Sequence, residues 1–256
     1  MKISIVTAAL NNRGGIVETL DSLLMQVHQD WEYIIIDGAS TDGTVDFLRS
    51  CSTRFGDKVK WISEPDGGIY HAMNKGIALA SGDAVGFLGG GDTFVDELSL
   101  KNIADAMERT GADAVYGDLM YVSHGHKDKA CRYWRGSQYE PGIFNSGWQP
   151  AHPTFFARRS CFDRYGVFDT DLEISADFDL MFRFLEKFRI SSRYIPCTLV
   201  RMLSGGESNS SLRKICLAHR NIYRSFRKYG YNVPPLYSLR RTLPKILNML
   251  ETYIQS

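Results

Sequence analysis

Three acids stand where short apolar runs stop: Asp37 after Tyr33-Ile34-Ile35-Ile36, Asp66 just beyond Val59-Lys60-Trp61-Ile62, and Asp92 beyond Ala84 to Leu88. A lone aspartate in a turn is usually a cap or a solvated group. Three of them at successive strand ends carry a second meaning, because open α/β sheets bind ligands in the crevice beyond the carboxyl ends of their strands. Asp92 also follows Gly89-Gly90-Gly91. A hard carboxylate after a loop bare of side chains can hold Mg²⁺ or Mn²⁺ while diphosphate oxygens complete the shell. A further pair, Asp177 and Asp179, opens a stretch of helical periodicity from Ala176 to Phe188. On the residues alone, Asp177 reads as a carboxylate favoured by the positive end of the helix macrodipole.

What is missing narrows the ligand. The turn Thr7-Ala8-Ala9-Leu10-Asn11-Asn12 has no GxGxxG, and no GxxxxGK[ST] occurs, which argues against a classical NAD site and a P-loop NTPase. A nucleotidyltransferase is disfavoured as well, since its Gly-rich, Arg-containing loop after the first strand is absent.

These acids need a frame. Ile3-Ser4-Ile5-Val6 reads as a strand, and Ile16 to Val27 has apolar residues at helical spacing. The run ending in Asp37 is β-branched, as in strands of a parallel sheet buried on both faces. The turn Gly38 to Gly43 offers Ser40 and Thr41 as caps for a helix through Leu48. Strands at Val59–Ile62 and Ala84–Leu88 flank a helix from Ile69 to Ala80, so the pattern predicts an α/β fold with a mostly parallel sheet. Further strands are expected at Ala114–Val122 and Ala130–Arg135. Gly136 to His152 reads as a loop over a site, and Leu212–Tyr229 and Leu239–Ile254 read as amphipathic helices joined at Pro234-Pro235.

The chain has 256 residues, 44% of them hydrophobic, with 30 basic and 29 acidic side chains. That composition excludes disordered and fibrous classes. The net charge of +1 averages two unlike parts. From Ser208 onward there are nine basic residues and one acid, so the tail is +8 and the preceding body −7. Five scattered cysteines without a CxxC pair fit reduced thiols better than a disulfide frame or zinc site. With no leader-like or spanning apolar stretch, a cytoplasmic protein is expected. No nucleic-acid partner is expected.

Ile5-Val6-Thr7, the run Ile36-Asp37-Gly38-Ala39-Ser40-Thr41-Asp42-Gly43-Thr44, and the run from Ser63-Glu64-Pro65-Asp66-Gly67-Gly68 through Ile69-Tyr70-His71-Ala72-Met73-Asn74-Lys75-Gly76 closely resemble the family 2 inverting glycosyltransferases. The match continues through Ser81-Gly82-Asp83, the glycine turn to Asp92, and Ser175-Ala176-Asp177-Phe178-Asp179-Leu180. It is nearest to bacterial enzymes of exopolysaccharide, colanic-acid-type or O-antigen assembly.

The resemblance covers residues 1–210. It implies a GT-A fold, a Rossmann-like mostly parallel mixed sheet flanked by helices, with a donor-binding half (1–110) and an acceptor-binding half (111–210). Residues 211–256 would then form a basic helical tail. A nucleotide-sugar donor, most often UDP-linked, is implied, with Thr7, Ala9 and Asp37 on the nucleoside, Asp66 near the base and Gly91 in the donor site. Asp92 matches the last carboxylate of the family's Mn²⁺ or Mg²⁺ motif, although members commonly carry a second acid or an Asn-Ser pair before it where three glycines stand here. Asp177 matches the catalytic base. Inverting transfer is one in-line displacement, in which a carboxylate takes the acceptor hydroxyl's proton while the nucleoside diphosphate leaves on the opposite face. Asp179 is assigned a structural or acceptor role.

Weaker assignments follow. Asn74 and Lys75 lie off the apolar face of Ile69, Ala72, Met73 and Ile77, either reaching the nucleotide or solvated. His152 stands where relatives often have His, near acceptor or diphosphate. Gly205-Gly206-Glu207-Ser208 resembles a flexible GGxS segment closing over the donor. Trp134 and Trp148 either stack on sugars or pack. The basic tail helices either lie on an anionic membrane near a lipid-linked glycan acceptor or pack on the body. The competing function is a non-catalytic nucleotide-sugar-binding or assembly subunit.

Overall fold

The computed structural model describes residues 1–123, 126–204 and 211–243. Its first half is built as the hydrophobic pattern requires. β1 (Ile3–Ala9) lies between β2 (Trp31–Asp37) and β4 (Ala84–Phe87), with β3 (Val59–Ser63) outside β2, all parallel. Helices α1 (Arg13–Leu24), α2 (Thr44–Phe55) and α3 (Ile69–Leu79) connect them. Every residue of β2 is buried, which its near-continuous apolar run demands of a central parallel strand. Alternation sorts the strands' side chains between two core layers. Ile3, Ile5, Tyr33 and Ile35 face the layer containing α1, while Val6, Ile34 and Ile36 face the layer containing α3.

Glu32, near the start of this strand, is fully buried among Ser4, Ser81, Lys2 and Lys60. Burial alone would raise its pKa, but these donors outweigh that and hold the carboxyl far below its ordinary range. It ties the amino-terminal ends of β1, β2 and β3 together.

The second half widens the sheet. Beyond β4 come β8 (Phe156–Arg158), β6 (Ala114–Ser123), β9 (Ser192–Leu203) and β5 (Thr93–Phe94), while β7 (His126–Trp134) pairs antiparallel with β6. β8 is antiparallel to both β4 and β6. Helices α4 (Ser99–Thr110) and α5 (Arg159–Tyr165), together with β8 and β9, are elements that the sequence reading missed. The predicted helix from Ala176 to Phe188 is α6 (Ala176–Phe182) followed by a π-turn over Arg183–Lys187. The cap of α2 is also corrected. Asp42 rather than Ser40 or Thr41 accepts from the Thr44 amide, and Ser40 is bound to Asp37 instead.

α7 (Leu212–Lys228) packs its apolar side into the body, burying Ile222 and Phe226 against the layer that holds Phe178 and Phe182. A further helix, α8, starts at residue 237 and is described to residue 243. Leu239 and Leu243 on it are exposed. The rest of the second predicted tail helix, from residue 244, lies outside the described residues, as do Gly205, Gly206 and Ser208. Among the described residues no helix is long and apolar enough to cross a membrane.

Candidate active site

Register fixes the crevice. Ala9 pairs with Asp37 and Asp37 with Ser63, so three strands end level on one edge. Asp37 is fully buried there and accepts from the Ser40 amide and hydroxyl and from Ser63 Oγ, the last at 2.6 Å. It shapes the turn over residues 38–43 and clips β3 to it. The carbonyl of Ala9 receives the Gly38 amide at 2.8 Å. Thr7 is fully buried, its hydroxyl donating to the Leu88 carbonyl at 2.8 Å and accepting from Tyr33 at 3.0 Å.

Beyond β3, Asp66 forms an ion pair with Lys75, which also binds Glu64. The second oxygen of Asp66, Oδ2, is buried without a hydrogen-bond partner. Such an orphan acceptor is costly unless a ligand N–H meets it. The Asn74 side-chain amide donates to the carbonyl of Phe168 and its oxygen accepts from the Phe168 amide, at 3.0 and 2.9 Å. It clamps a loop 94 residues away.

The glycine loop is explained by packing. Asn12 caps α1 through Gly15 and donates its side-chain amide to the Gly90 carbonyl, while Thr19 Oγ1 donates to the Asp92 carbonyl and accepts from the Gly91 amide. A Cβ on Gly90 would come within 2.5 Å of Asn12 Nδ2. Gly91 has φ +105°, a region that L side chains rarely adopt, and lies against Leu203. Three glycines therefore satisfy a loop pressed onto the start of α1.

Asp92 itself is almost wholly buried, with Oδ2 accepting from the Gly89 amide at 2.9 Å. Loss of water pushes its pKa up to about 7 against the lowering effect of the Gly89 and Leu203 amides. A cation beside it would favour its ionised form at neutral pH. Among the described residues no cluster of three or more His, Cys, Asp or Glu side chains surrounds a common point, so any ion here would take most of its ligands from substrate and water.

Across the crevice, Asp177 sits in the first turn of α6, after Ser175 in the left-handed region at φ 69°. Tyr70 donates its hydroxyl to Asp177 Oδ1 at 3.4 Å and stacks on Phe168. Burial, reinforced by the Asp177 charge, raises the Tyr70 pKa well above its usual value, so it remains a donor. His152 stacks on Phe87 at the end of β4 and meets Phe168 edge-on. Its burial lowers the imidazole pKa against the opposing pull of Asp177, and Nε2 is buried without a partner. Burial raises the Tyr121 pKa against the lowering effect of Arg132, and the charges of Asp92 and Asp177 add smaller raising effects. Tyr70 and Tyr121 escaped sequence reasoning. Tyr70 does lie within the quoted run ending in Gly76.

Asp179, two residues on, faces away. It is fully buried, accepts from Tyr229 at 2.8 Å and lies 3.7 Å from the Arg183 guanidinium. With Asn221 donating to the Ile174 carbonyl, α7 thus braces the turn that presents Asp177. Trp148 packs edge-on against Tyr116 and Phe144 in the loop over residues 136–152, which contains two short 3₁₀ turns.

A family model described as "Glycosyl transferase family 2" matches residues 4–173. The chain is 28% identical over 214 residues to a PGL/p-HBAD biosynthesis glycosyltransferase of Mycobacterium bovis, covering 82% of this chain and 80% of that one. It is 32% identical over 124 residues to TuaG of Bacillus subtilis, named for teichuronic acid biosynthesis, covering 48% and 49%. Among solved structures it resembles S. aureus TarS in complex with UDP-GlcNAc, at a TM-score of 0.70 and 18% identity over 90% of this chain and 65% of that one. A mannosyltransferase from Pyrobaculum calidifontis in complex with GDP-Man and Mn²⁺ gives 0.66, also at 18% identity, covering 98% and 72%. The chain belongs to glycosyl transferase family 2 and is a glycosyltransferase with the GT-A fold.

Proposed function

We propose that this enzyme moves one sugar, with inversion, from a nucleotide-sugar to a hydroxyl of a lipid-linked or growing glycan in surface polysaccharide synthesis. The observation that carries the reading is Asp177 in the first turn of α6 with Tyr70 donating to its Oδ1, alongside the buried Asp92 in the turn after β4. Asp177 takes the acceptor proton as the new bond forms, with Tyr70 holding its Oδ1 in place. Asp92 fits a Mg²⁺ or Mn²⁺ ion held by a single protein carboxylate, with diphosphate oxygens and water as the other ligands. Such an ion, when bound, offsets the charge on the departing diphosphate.

Asp66 Oδ2 supports a uridine or guanosine base, both of which carry a ring N–H for a carboxylate to accept. The relatives' names support a glycan acceptor. The exposed Leu239 and Leu243 beside Arg240 support peripheral contact with the cytoplasmic face of a membrane. In this reading residues 1–210 with α7 packed on them form the catalytic unit, and the basic segment from α8 onward is the part that meets the lipid surface.

A donor screen by thermal shift tests the first step, since a ligand that binds only the folded state raises its melting temperature. UDP- or GDP-sugars with Mn²⁺ are expected to raise it, and Asp66→Asn to weaken their binding by about 10- to 100-fold, the worth of a hydrogen bond to a charged acceptor. Binding of adenosine or cytidine nucleotides alone, or equal affinity in Asp66→Asn, would sink the base assignment.

A further inference from the structure

A cavity of about 310 Å³ lies where β7, the turn over residues 143–147 and α8 meet. Arg132, Arg135, Arg240 and Arg241 line it with Trp148 and Gln149, and no carboxylate is among its lining residues. Guanidiniums held close without an acid repel one another, and each is a planar fork suited to phosphoryl oxygens. Three buried polar atoms on residues that line it lack hydrogen-bond partners: Trp148 Nε1, Nη1 of Arg241, and Oε1 of Gln149, a residue only 4% exposed.

The cavity is built rather than incidental. Gly147 has φ +89°, and a Cβ there would come within 2.7 Å of the Arg241 Cα, so the backbone of α8 rests directly on the turn. That contact brings Arg240 and Arg241 to Trp148. Two of its arginines reach the rings around it. Arg132 stacks 3.9 Å over Tyr121 on β6. Arg241 lies 5.4 Å over Phe178, the residue after Asp177.

We propose that this cavity binds the acceptor as a phosphorylated saccharide. Its phosphoryl group would sit on Arg135, Arg240 and Arg241, and its sugar ring against Trp148 with a hydroxyl donated to Gln149. The word acceptor rests on the transfer reading above; the binding of a sugar phosphate does not. The phosphoryl group belongs either to a lipid carrier or to a water-soluble glycan.

Trp134 and Trp148, two of the four tryptophans, line the cavity and supply an intrinsic fluorescence probe in the full-length protein. Inorganic phosphate, glucose 1-phosphate, and phosphatidylcholine vesicles carrying a polyprenyl phosphate would each be titrated with UDP saturating the donor site. Saturable quenching by glucose 1-phosphate, tighter than by inorganic phosphate and weakened at least tenfold in Arg135→Gln/Arg240→Gln, is the expected result. Both arginines are exposed, so the double variant should keep its melting temperature and its UDP affinity. Vesicle binding at least tenfold tighter than glucose 1-phosphate, and lost in the same variant, assigns the group to a lipid carrier. Equal affinity assigns it to a soluble one. Quenching unchanged by the double substitution, or absent with all three probes, overturns the proposal. Unimpaired sugar transfer in the variant overturns it too while leaving the transfer reading intact. Sugar-phosphate binding with no turnover of any nucleotide-sugar does the reverse.

Discussion

Asp177→Asn is expected to leave donor affinity within about twofold of the native enzyme and to lower the rate of sugar transfer by about 10²- to 10⁴-fold, the range for a lost general base. The carboxamide has the shape of the carboxylate and can still accept from Tyr70, so the start of α6 should not move. It cannot accept a proton at neutral pH. Asp179 cannot substitute, because it is fully buried and bound by Tyr229. Transfer kinetics with donor binding measured separately distinguish the loss of a base from the loss of a site. If transfer persisted, the remaining proton acceptor in the crevice would be His152, whose Nε2 is unpartnered and whose imidazole burial keeps neutral. That outcome would move the catalytic role across to the loop over residues 136–152.

Asp92→Asn should act in two opposite directions. In the absence of metal the variant is expected to be more stable than the native chain at pH 8, by about 2–4 kcal/mol. The folded Asp92 has a pKa of about 7, raised by burial, against about 3.9 for an unfolded aspartate. Below pH 4 the group is protonated in both states and costs nothing. Between pH 4 and 7 the unfolded chain gives up its proton first, so native stability falls as pH rises, and above pH 7 the full cost is present. Asparagine never ionises and escapes it. Denaturant titrations in a chelator at pH 5 and pH 8 should show the gap between variant and native protein opening with pH; an equal gap at both would contradict the burial argument. In transfer assays the same substitution should abolish stimulation by Mn²⁺ or Mg²⁺. Stability given up at a functional group is recovered when its ligand binds.

What could be read in the sequence divides by range. β1 to β4 and the helices between them announce themselves, because each is a local run whose periodicity and turn residues are contiguous. The acids at strand ends follow from that frame. β9 did not, since it carries Pro196 and pairs in parallel with β6 across about 80 residues, with register shifts beside the proline. Side-chain direction was equally hidden. Thr7 and Asn74 are bound to Leu88 and Phe168, partners 81 and 94 residues away. Tyr70 lies 107 residues from the Asp177 it supports. Amphipathicity could not decide the tail, because a membrane surface and a protein body both ask for one apolar stripe. Only the burial of Ile222 and Phe226 places α7 on the body. The three glycines before Asp92 departed from the family pattern for a reason visible only in three dimensions, the close approach of Asn12 and Leu203.

The central claim is a single displacement, driven by Asp177 from the face opposite the leaving diphosphate. The anomeric configuration of the glycoside formed from an α-configured nucleotide-sugar, read by proton NMR from the anomeric coupling, tests that claim most directly. A β-glycoside is the predicted product; an α-glycoside would contradict it.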